Sequence, residues 1–251
     1  MPQVYGITRR SLPSLSAEAA QQQLRVGGRG EQYVVPLTSG TYGLADEGSY
    51  FKATNATPGT GIIHALTTAF SATAGIFCLR NTDAEGAKRI YLDYFRLVTG
   101  ATAIGMTAAT SIEMAVTVDN TNRYSSGGTA ITPVNSNMDS SNATIASLTF
   151  GAVVLAAASG SVRLLARAAF ARRAAPAMVT GDQFLFEFGQ GAAHSVSVVG
   201  AAAPATAAAA FSQTLGPVII GGGDSINFHL WYPAGATTAP TFEFELGWWE
   251  R

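Results

Sequence analysis

The chain has 251 residues, of which 47% are hydrophobic and only 12% are charged, and its formal net charge is −1. This length accommodates one large all-β domain or two small domains, and it is sufficient for a substantial core. The near-neutral charge argues against sequence-wide nucleic-acid binding. Cys78 is the only cysteine, which excludes an intrachain disulfide. Its apolar neighbours in AGIFCLR predict that it is a small buried residue.

The first 60 residues read as an extended arm. Ser16 can cap a short helix at about residues 17–26, and Gly27 is placed to end it. Segments rich in Gly, Ser, Thr and Pro surround this helix and offer few residues for a core. We therefore expect an N-terminal arm over residues 1–60 and a β domain over residues 61–251. The start lacks the apolar run of a secretion signal, which predicts an unprocessed chain made inside the cell.

Strand patterns recur from about Gly61 onward. Several segments alternate apolar and polar residues with the period of a strand that buries one face, and they begin near Ser111, Gln183, Ser225 and Thr241. Further strand candidates begin near Ala74, Arg89, Ser147, Ser161 and Gly216. So many short strands separated by Gly, Asn, Ser and Pro loops predict an all-β fold, an antiparallel β-sandwich that is jelly-roll-like. The last strand, TFEFELGWWER, predicts that the C-terminus lies within a sheet.

Two segments have a competing interpretation. ARAAFARRAAPAM, from Ala166, favours a helix as far as Pro176 because Ala and Arg are good helix formers. ATIASLTFGAVVLAAASGSV, from Ala143, is long and uncharged enough to suggest a transmembrane helix. Gly, Ser and Thr lower the hydrophobicity of that stretch, and the segments on either side of it resemble strands. It therefore favours a buried strand pair or an assembly surface, and we expect no membrane span.

Charge is absent from two long stretches. Neither the segment between Asp139 and Arg163 nor the segment between Glu187 and Asp224 contains Asp, Glu, Lys or Arg. Soluble monomers usually intersperse charges of both signs over their surface. These stretches therefore predict surfaces that contact other protein. The alternative is a low-charge sequence with Ala and Gly in its loops.

The sequence carries no recognisable motif for catalysis, for a cofactor or for a metal. His64, His194 and His229 lack the paired spacing of a zinc site, and His229 lies on the polar face of its strand, as surface residues do. The glycine-rich IIGGGDS lacks the Lys of a phosphate-binding loop and reads as a turn into the strand that follows. We expect no cofactor, no metal and no enzymatic activity.

Two acidic groupings favour ordinary structure. Asp119, Asn120 and Asn122 match a fragment of a calcium loop, but the remaining oxygen ligands are missing, so a hairpin turn is favoured. Glu243 and Glu245 share one strand face, as a glycosidase acid pair would need, yet alternating surface charge also accounts for them.

One basic cluster is present, formed by Arg163, Arg167, Arg172 and Arg173. Because the net charge is −1, we expect no specific nucleic-acid binding. The cluster is a local patch that would face packaged genome or an acidic partner.

The closing run GPVIIGGGDSINFHLWYPAGATTAPTFEFELGWWER resembles the C-terminal strands of small structural proteins from tailed-bacteriophage virions. A Gly-rich turn leads to an aromatic strand, then to a loop and to a final strand that ends in tryptophans. The resemblance implies a jelly-roll-like or related sandwich that serves as a capsid decoration, cement or tail component. It covers the last seventh of the chain, and the arginine-containing N-terminal arm departs from the pattern.

These features predict a non-enzymatic virion protein, most simply a capsid decoration or cement protein. It would associate with itself, as a homotrimer, and with other virion proteins such as the major capsid protein. The expected assembly contacts are Tyr5, Arg9, Arg10, Leu24 and Trp249.

Two alternatives assign chemistry to the same chain. In the first, the protein is a tail or tail-tip component whose sandwich binds surface carbohydrate through Trp231, Tyr232, Trp248 and Trp249. The location of the tryptophans together in an exposed groove would favour that function, whereas Trp248 between the sheets and Trp249 at a subunit boundary would favour assembly. In the second, the protein is a depolymerase, for which only Glu243 and Glu245 offer paired carboxylates.

Overall fold

The computed structural model describes residues 40–65, 67–102, 105–106, 110–172, 180–189, 197–199, 210–233 and 236–251. Within this part of the chain there is one helix, α1 (Gly40–Asp46), and the remaining regular structure is β-sheet. The strands, in chain order, are β1 (Tyr50–Thr54), β2 (Ile62–Ile63), β3 (Ala74–Asn81), β4 (Ile90–Thr99), β5 (Gly105–Met106), β6 (Thr110–Asp119), β7 (Tyr124–Ile131), β8 (Val134–Asn135), β9 (Ala146–Leu155), β10 (Arg163–Arg172), β11 (Gln183–Phe188), β12 (Ser197–Val199), β13 (Ala210–Leu215), β14 (Ile219–Ile220), β15 (Ser225–Trp231), β16 (Ala236–Thr238) and β17 (Thr241–Glu250).

Two large sheets contain most of these strands. The nine-stranded sheet has the order β12-β13-β11-β4-β17-β1-β8, with β14 paired to β4 and β2 paired to β17. The six-stranded sheet has the order β10-β6-β15-β3-β9-β7, and β5 and β16 form a separate pair. Among the described pairs, β11 and β13 run parallel and all others run antiparallel.

Part of this sandwich follows the path of a jelly roll. β1, β17, β4 and β11 are adjacent in one sheet, and β3, β15, β6 and β10 are adjacent in the other. Along the chain these strands occur as β1, β3, β4, β6, β10, β11, β15 and β17, so every step except β6 to β10 crosses between the sheets. This is the double Greek key of a jelly roll. The predicted fold, an antiparallel β-sandwich of jelly-roll type with a short helix near its N-terminus, is confirmed.

The other strands extend the two sheets at their edges. β7 and β9 lie between β6 and β10 in the chain, and they add to the six-stranded sheet on the far side of β3. β12 and β13 lie between β11 and β15 in the chain, and they add to the nine-stranded sheet beyond β11. Because the insertions are at the β3 and β11 edges, β10 is the terminal strand of its sheet among the described strands.

The core forms between the sheets around Phe228 of β15, which is fully buried. Its ring centroid lies 4.6 Å from that of Phe95 and 5.0 Å from that of Phe77. Phe186 and Phe188 of β11 approach the same ring with centroid distances of 6.5 and 6.2 Å. Aromatic pairs in tilted and edge-to-face arrangements add about 0.5–1.5 kcal/mol each beyond the burial of their surface. The two sheets are therefore joined by a cluster of phenylalanine rings from strands that are far apart in the chain.

The C-terminal strand β17 explains the tryptophans at the end of the chain. Trp248 is fully buried, and its indole Nε1 donates to a carboxylate oxygen of Glu250 at 3.0 Å. The two oxygens of that carboxylate also accept from the backbone N–H of Ile145 at 3.2 and 3.1 Å. Arg89 and Arg251 exchange backbone hydrogen bonds in both directions. The prediction that the C-terminus lies within a sheet is confirmed.

The sandwich begins earlier than the sequence predicts. β1 pairs with β17 over residues 50–54, from Tyr50↔Trp249 to Thr54↔Glu245, and it pairs with β8 on its other side. The arm predicted over residues 1–60 therefore ends before Tyr50, because β1 supplies buried side chains to the core. The helix predicted at residues 17–26 lies outside the described residues, and α1 is a separate helix.

Both ambiguous segments form strands. The segment from Ala166 belongs to β10, so the helix alternative is wrong as far as Arg172, and residues 173–179 lie outside the described residues. The segment from Ala143 contains β9. No helix in the described part of the chain is long and apolar enough to cross a membrane.

Phe228→Ala is expected to lower the free energy of unfolding by about 3–5 kcal/mol, because it leaves a cavity at the centre of the aromatic cluster. Met138→Ala is the control, since that side chain is 98% exposed, and it should change the free energy by less than about 0.5 kcal/mol. Urea unfolding followed by tryptophan fluorescence measures both variants. Similar midpoints for the two variants would contradict this description of the core.

Candidate assembly surface

A segment with a single charged residue is exposed along most of its length. Residues 152–165, hereafter the 152–165 surface, run from the end of β9 through a loop into β10 and carry one charge, that of Arg163. Among their side chains, Val154 is 46% exposed and Leu164 is 63% exposed. The exposed apolar residues of this surface are Ala152, Val154, Ala156, Ala157, Ala158, Val162, Leu164 and Leu165. These residues follow one another along the chain, and apolar side chains exposed in this number favour a contact with other protein.

The strand β10 gives this surface an open backbone edge. Among the described residues it pairs with β6 alone, and its register shifts between Leu164 and Ala166. Arg167 lies next in the strand, is largely exposed and forms an ion pair with Glu113 at 2.6 Å. A bulge and arginines on an edge strand oppose indiscriminate pairing with other chains. Within the part of the chain that the structure describes, the edge therefore remains available for a specific contact.

The buried Arg123 holds the 152–165 surface against the sandwich. Its side chain is only 1% exposed, and its Nη2 donates to the carbonyl of Ala156 and to the carbonyl of Ala72, each at 2.6 Å. Its Nε also donates to the Ala156 carbonyl, at 3.2 Å. One guanidinium thus ties two loops that are distant in sequence, which a planar group with several donors does well.

Asp119 supplies the opposite charge and a second attachment. Its Oδ2 lies 3.8 Å from the Arg123 Nε and accepts from the backbone N–H of Ser159 at 2.9 Å. The Ser159 hydroxyl donates to the other carboxylate oxygen, which also accepts from Thr121 at 3.2 Å. Burial alone would raise the pKa of Asp119, but the hydrogen bonds from Ser159 and Thr121 and the charge of Arg123 hold it below its usual value. The loop between β9 and β10 is therefore fixed at both Ala156 and Ser159.

A second loop brings Phe70 to the same side of the six-stranded sheet. Phe70 is 48% exposed, and its ring centroid lies 5.1 Å from that of His229 and 5.6 Å from that of Trp231. The His229 Nδ1 lies 2.8 Å from the Ala74 carbonyl, and its Nε2 lies 2.9 Å from the Thr117 hydroxyl. A carbonyl only accepts, so Nδ1 carries the proton. Burial lowers the pKa of His229, which favours the neutral ring, in which Nε2 accepts from the Thr117 hydroxyl. His229 is thus a neutral residue that anchors this loop.

Of the predicted assembly contacts, only Trp249 lies among the described residues. It is partly buried on the outer face of the nine-stranded sheet, where its ring lies parallel to that of Tyr91 at a centroid distance of 5.7 Å. The remaining predicted contacts lie outside the described residues, and they are Tyr5, Arg9, Arg10 and Leu24. Of the basic cluster, Arg163 and Arg167 are exposed on β10, whereas Arg173 and the side chain of Arg172 are not described.

The aromatic residues that would have formed a sugar platform do not lie together on the surface. Trp248 and Tyr232 are fully buried, and Trp231 is 8% exposed. Trp248 packs between the sheets, where its ring stacks on Phe51 with a centroid distance of 6.2 Å. The carbohydrate alternative in its predicted form is therefore wrong, because only Trp249 retains an accessible ring.

Several side chains that could carry chemistry are buried or form ion pairs within the sandwich. His229 is 1% exposed, so its predicted surface position is wrong, and His64 is 3% exposed. His194 lies outside the described residues. Cys78 is buried as predicted, and Glu245 forms ion pairs with Arg96 and, at 3.8 Å, with Lys52. The described residues contain no cluster of three or more His, Cys, Asp or Glu side chains that could hold a metal ion.

Of the two turns predicted from the sequence, the glycine-rich turn is confirmed and the turn after Asp119 is wrong. IIGGGDS is a turn into β15, as predicted, and a Cβ at Gly222 would lie 1.9 Å from the carbonyl oxygen of Ala84. The segment after Asp119 is not the predicted hairpin turn, because β6 and β7 lie apart in the sheet. It carries the chain across the sheet and places Arg123 over its outer face. Local sequence has no signal for that role, since Ala72 and Ala156 are distant along the chain.

The chain matches no protein-family model, no curated protein and no solved structure. Its function must therefore be inferred from the geometry of its own residues.

Arg123→Ala is expected to lower the free energy of unfolding by about 3 kcal/mol, because it leaves the buried Asp119 carboxylate without its cation. The 156–161 loop should also become more sensitive to limited proteolysis. Arg163→Ala is the matched control at an exposed arginine and should change the free energy by less than about 0.5 kcal/mol. Equal stability of the two variants, with an unchanged cleavage pattern, would rule out Arg123 as the residue that fixes the loop.

Stability is expected to fall as the pH drops from about 6.5 towards 4, because burial lowers the pKa of His64 to about 4. The unfolded chain takes up a proton in this range while the folded chain does not, which costs about 3 kcal/mol by pH 4. Urea unfolding at a series of pH values measures the loss. In His64→Phe the loss should be smaller than in the wild type, and an identical pH profile would contradict the assignment.

Proposed function

We propose that this chain is a non-enzymatic structural protein of a tailed-bacteriophage virion, and that it acts as a capsid decoration or cement protein. It stabilises the particle by burying surface against copies of itself and against neighbours such as the major capsid protein. The observation that carries this proposal is the 152–165 surface, which is exposed, apolar and attached rigidly to a jelly-roll core. The resemblance of residues 216–251 to phage virion proteins supplies the biological setting.

Rigidity is the property that favours assembly. Ordering a flexible loop on binding costs free energy, so a loop already held in place binds more tightly for the same area. Here Arg123 and Asp119 hold the loop through the backbone at Ala156 and Ser159. The exposed side chains between those points are free to contact a partner without a further loss of backbone entropy.

Low charge is the second supporting property. Charged residues make up 12% of the chain, and its net charge is −1, so copies repel one another only weakly. We propose a homotrimer, which is a closed assembly that hides the apolar surface. Tyr5, Arg9, Arg10 and Leu24 provide contacts from the N-terminal segment, and Trp249 provides a contact from the outer sheet face. The protein resides in the virion after synthesis in the host cytoplasm.

Replacement of both exposed leucines, Leu164→Glu with Leu165→Glu, is expected to shift the protein towards single chains of 25.9 kDa. Two carboxylates in this surface would be desolvated in the assembly, which opposes association. Multi-angle light scattering measures the mass, which for the wild type should be three times that of the chain. Val134→Glu is the control, because Val134 is 59% exposed on β8 and belongs to the other sheet. A wild-type protein that remains a single chain would contradict the proposal.

Particles of a phage that encodes this chain provide the test of location. Gold-labelled antibody to the chain should cover the capsid surface in electron micrographs. Label confined to the tail tip would favour the tail alternative, and particles without label would remove the virion assignment altogether.

A further inference from the structure

A groove crosses the outer face of the nine-stranded sheet, on the opposite side of the molecule from the 152–165 surface. Its volume is about 300 Å³, and its lining includes Leu44 of α1, Tyr91 and Asp93 of β4, Ile219 of β14 and Trp249 of β17. These strands are neighbours, with Ile219 opposite Tyr91 and Tyr91 opposite Trp249. The aromatic and aliphatic side chains thus form one continuous apolar row.

The exposure of this row is unusual for an outer sheet face. Ile219 is 47% exposed, and the stacked rings of Tyr91 and Trp249 are only partly buried. Asp93 provides the acidic group of the groove, and its Oδ2 accepts from the Tyr50 hydroxyl at 2.6 Å. A ligand for this groove therefore has apolar side chains together with a cationic group.

The N-terminal segment of this chain has that composition. Residues 1–39 contain four arginines and two glutamates, a net charge of +2, so that the rest of the chain carries −3 of the total of −1. Arg9 and Arg10 are preceded by Tyr5 and followed by Leu12 and Leu15. Opposite charges on the segment and on the sandwich favour their contact.

The length of the segment permits contact with a neighbouring copy. It leads into α1 at Gly40, and Leu44 of the same helix lines the groove. A chain between Arg10 and Gly40 can span up to about 100 Å, which exceeds the roughly 45 Å width of a compact domain of this size. The segment can therefore leave one sandwich beside its groove and reach the groove of another.

We propose that the groove lined by Tyr91, Asp93, Ile219 and Trp249 binds residues 1–39 of a second copy of the chain, with Arg9 or Arg10 paired to Asp93. This inference rests on the self-association proposed above and names where the N-terminal contacts bind. It assigns to Trp249 a role in a peptide-binding groove.

Cross-linking between two different full-length chains tests the inference directly. One chain carries Arg10→Cys, and the other carries Ile219→Cys and a tag. Cys78 does not interfere, because it is buried and burial raises the pKa of its thiol to about 12. After the chains are mixed and allowed to exchange subunits, a bismaleimide linker is added and the joined peptides are identified by mass spectrometry. Only binding between copies joins an untagged chain to a tagged one through positions 10 and 219.

The expected yield of this product exceeds that of a control pair by at least about tenfold, because a bound segment holds its side chain near the target at millimolar effective concentration. The control replaces Ile219→Cys with Val134→Cys, at an exposed position on another strand of the same sheet. Equal yields in the two pairs would overturn the inference.

Charge reversal provides the second test, without any reagent. Asp93→Lys should weaken self-association by about tenfold, since it places like charges together. Arg9→Glu with Arg10→Glu should weaken it similarly, and the combined variant should recover most of the loss. Circular dichroism establishes that each variant is folded. Failure of the combined variant to recover, together with equal cross-linking yields, contradicts direct pairing.

The two proposals fail in distinguishable ways. If the wild-type protein assembles but positions 10 and 219 are not joined, the groove inference fails and self-association stands. If a chain that carries both cysteines is joined only within itself, the segment binds its own groove and the second-copy assignment is wrong. If the wild-type protein remains a single chain at every concentration, the proposed self-association fails.

Discussion

The packing of the two sheets through the aromatic cluster around Phe228 is the constraint on which the rest of the structure depends. Phe77, Phe95 and Phe186 meet its ring from β3, β4 and β11. These strands belong to both sheets, so the cluster fixes the sheets relative to one another. Each of its side chains reaches this position only if the strand alternation keeps one face inward, since a shift of one residue would turn the apolar set outward.

The arrangement on the outer face of the six-stranded sheet depends in turn on this packing of the two sheets. Its central strand β15 is buried on both faces, because loops cover the side that faces away from the core. Asp119 and Arg123 form the polar junction beneath these loops, and their pairing is satisfied by hydrogen bonds to backbone and to Ser159. A buried ion pair contributes little net stability, because desolvation offsets the attraction, but loss of one partner leaves an uncompensated buried charge. Its effect here is to hold an apolar loop at a fixed position on the surface.

The sequence predicts the strands well and their long-range contacts poorly. Alternation identified β6, β11, β15 and β17, because each buries one face against the other sheet and periodicity reports that directly. The sequence does not indicate β1, because its short apolar run lies among turn-forming residues and its burial depends on pairing with β17. The sequence does not reveal the burial of His229 for the same kind of reason: its polar strand face is covered by a loop, and no local pattern reports a loop that returns from elsewhere in the chain.

The surface could be predicted in part. The absence of charge between Asp139 and Arg163 indicated a contact region, and the exposed residues of the 152–165 surface lie largely within it. The sequence did not indicate the groove on the opposite sheet, because its lining comes from α1, β4, β14 and β17, which only the fold brings together. The two tryptophans of the last strand show the same contrast, since adjacent residues point to opposite faces: Trp248 enters the core and Trp249 enters the groove.

Hydrogen–deuterium exchange of the wild-type protein in dilute and in concentrated solution tests the central claim most directly, namely that the 152–165 surface is buried between copies. The account predicts that the backbone amides of residues 156–162, the loop of this surface, exchange more slowly as the concentration rises, while the amides of β15 and β17 in the core are unaffected. Exchange that is independent of concentration in this segment, or protection confined to other parts of the chain, would contradict it.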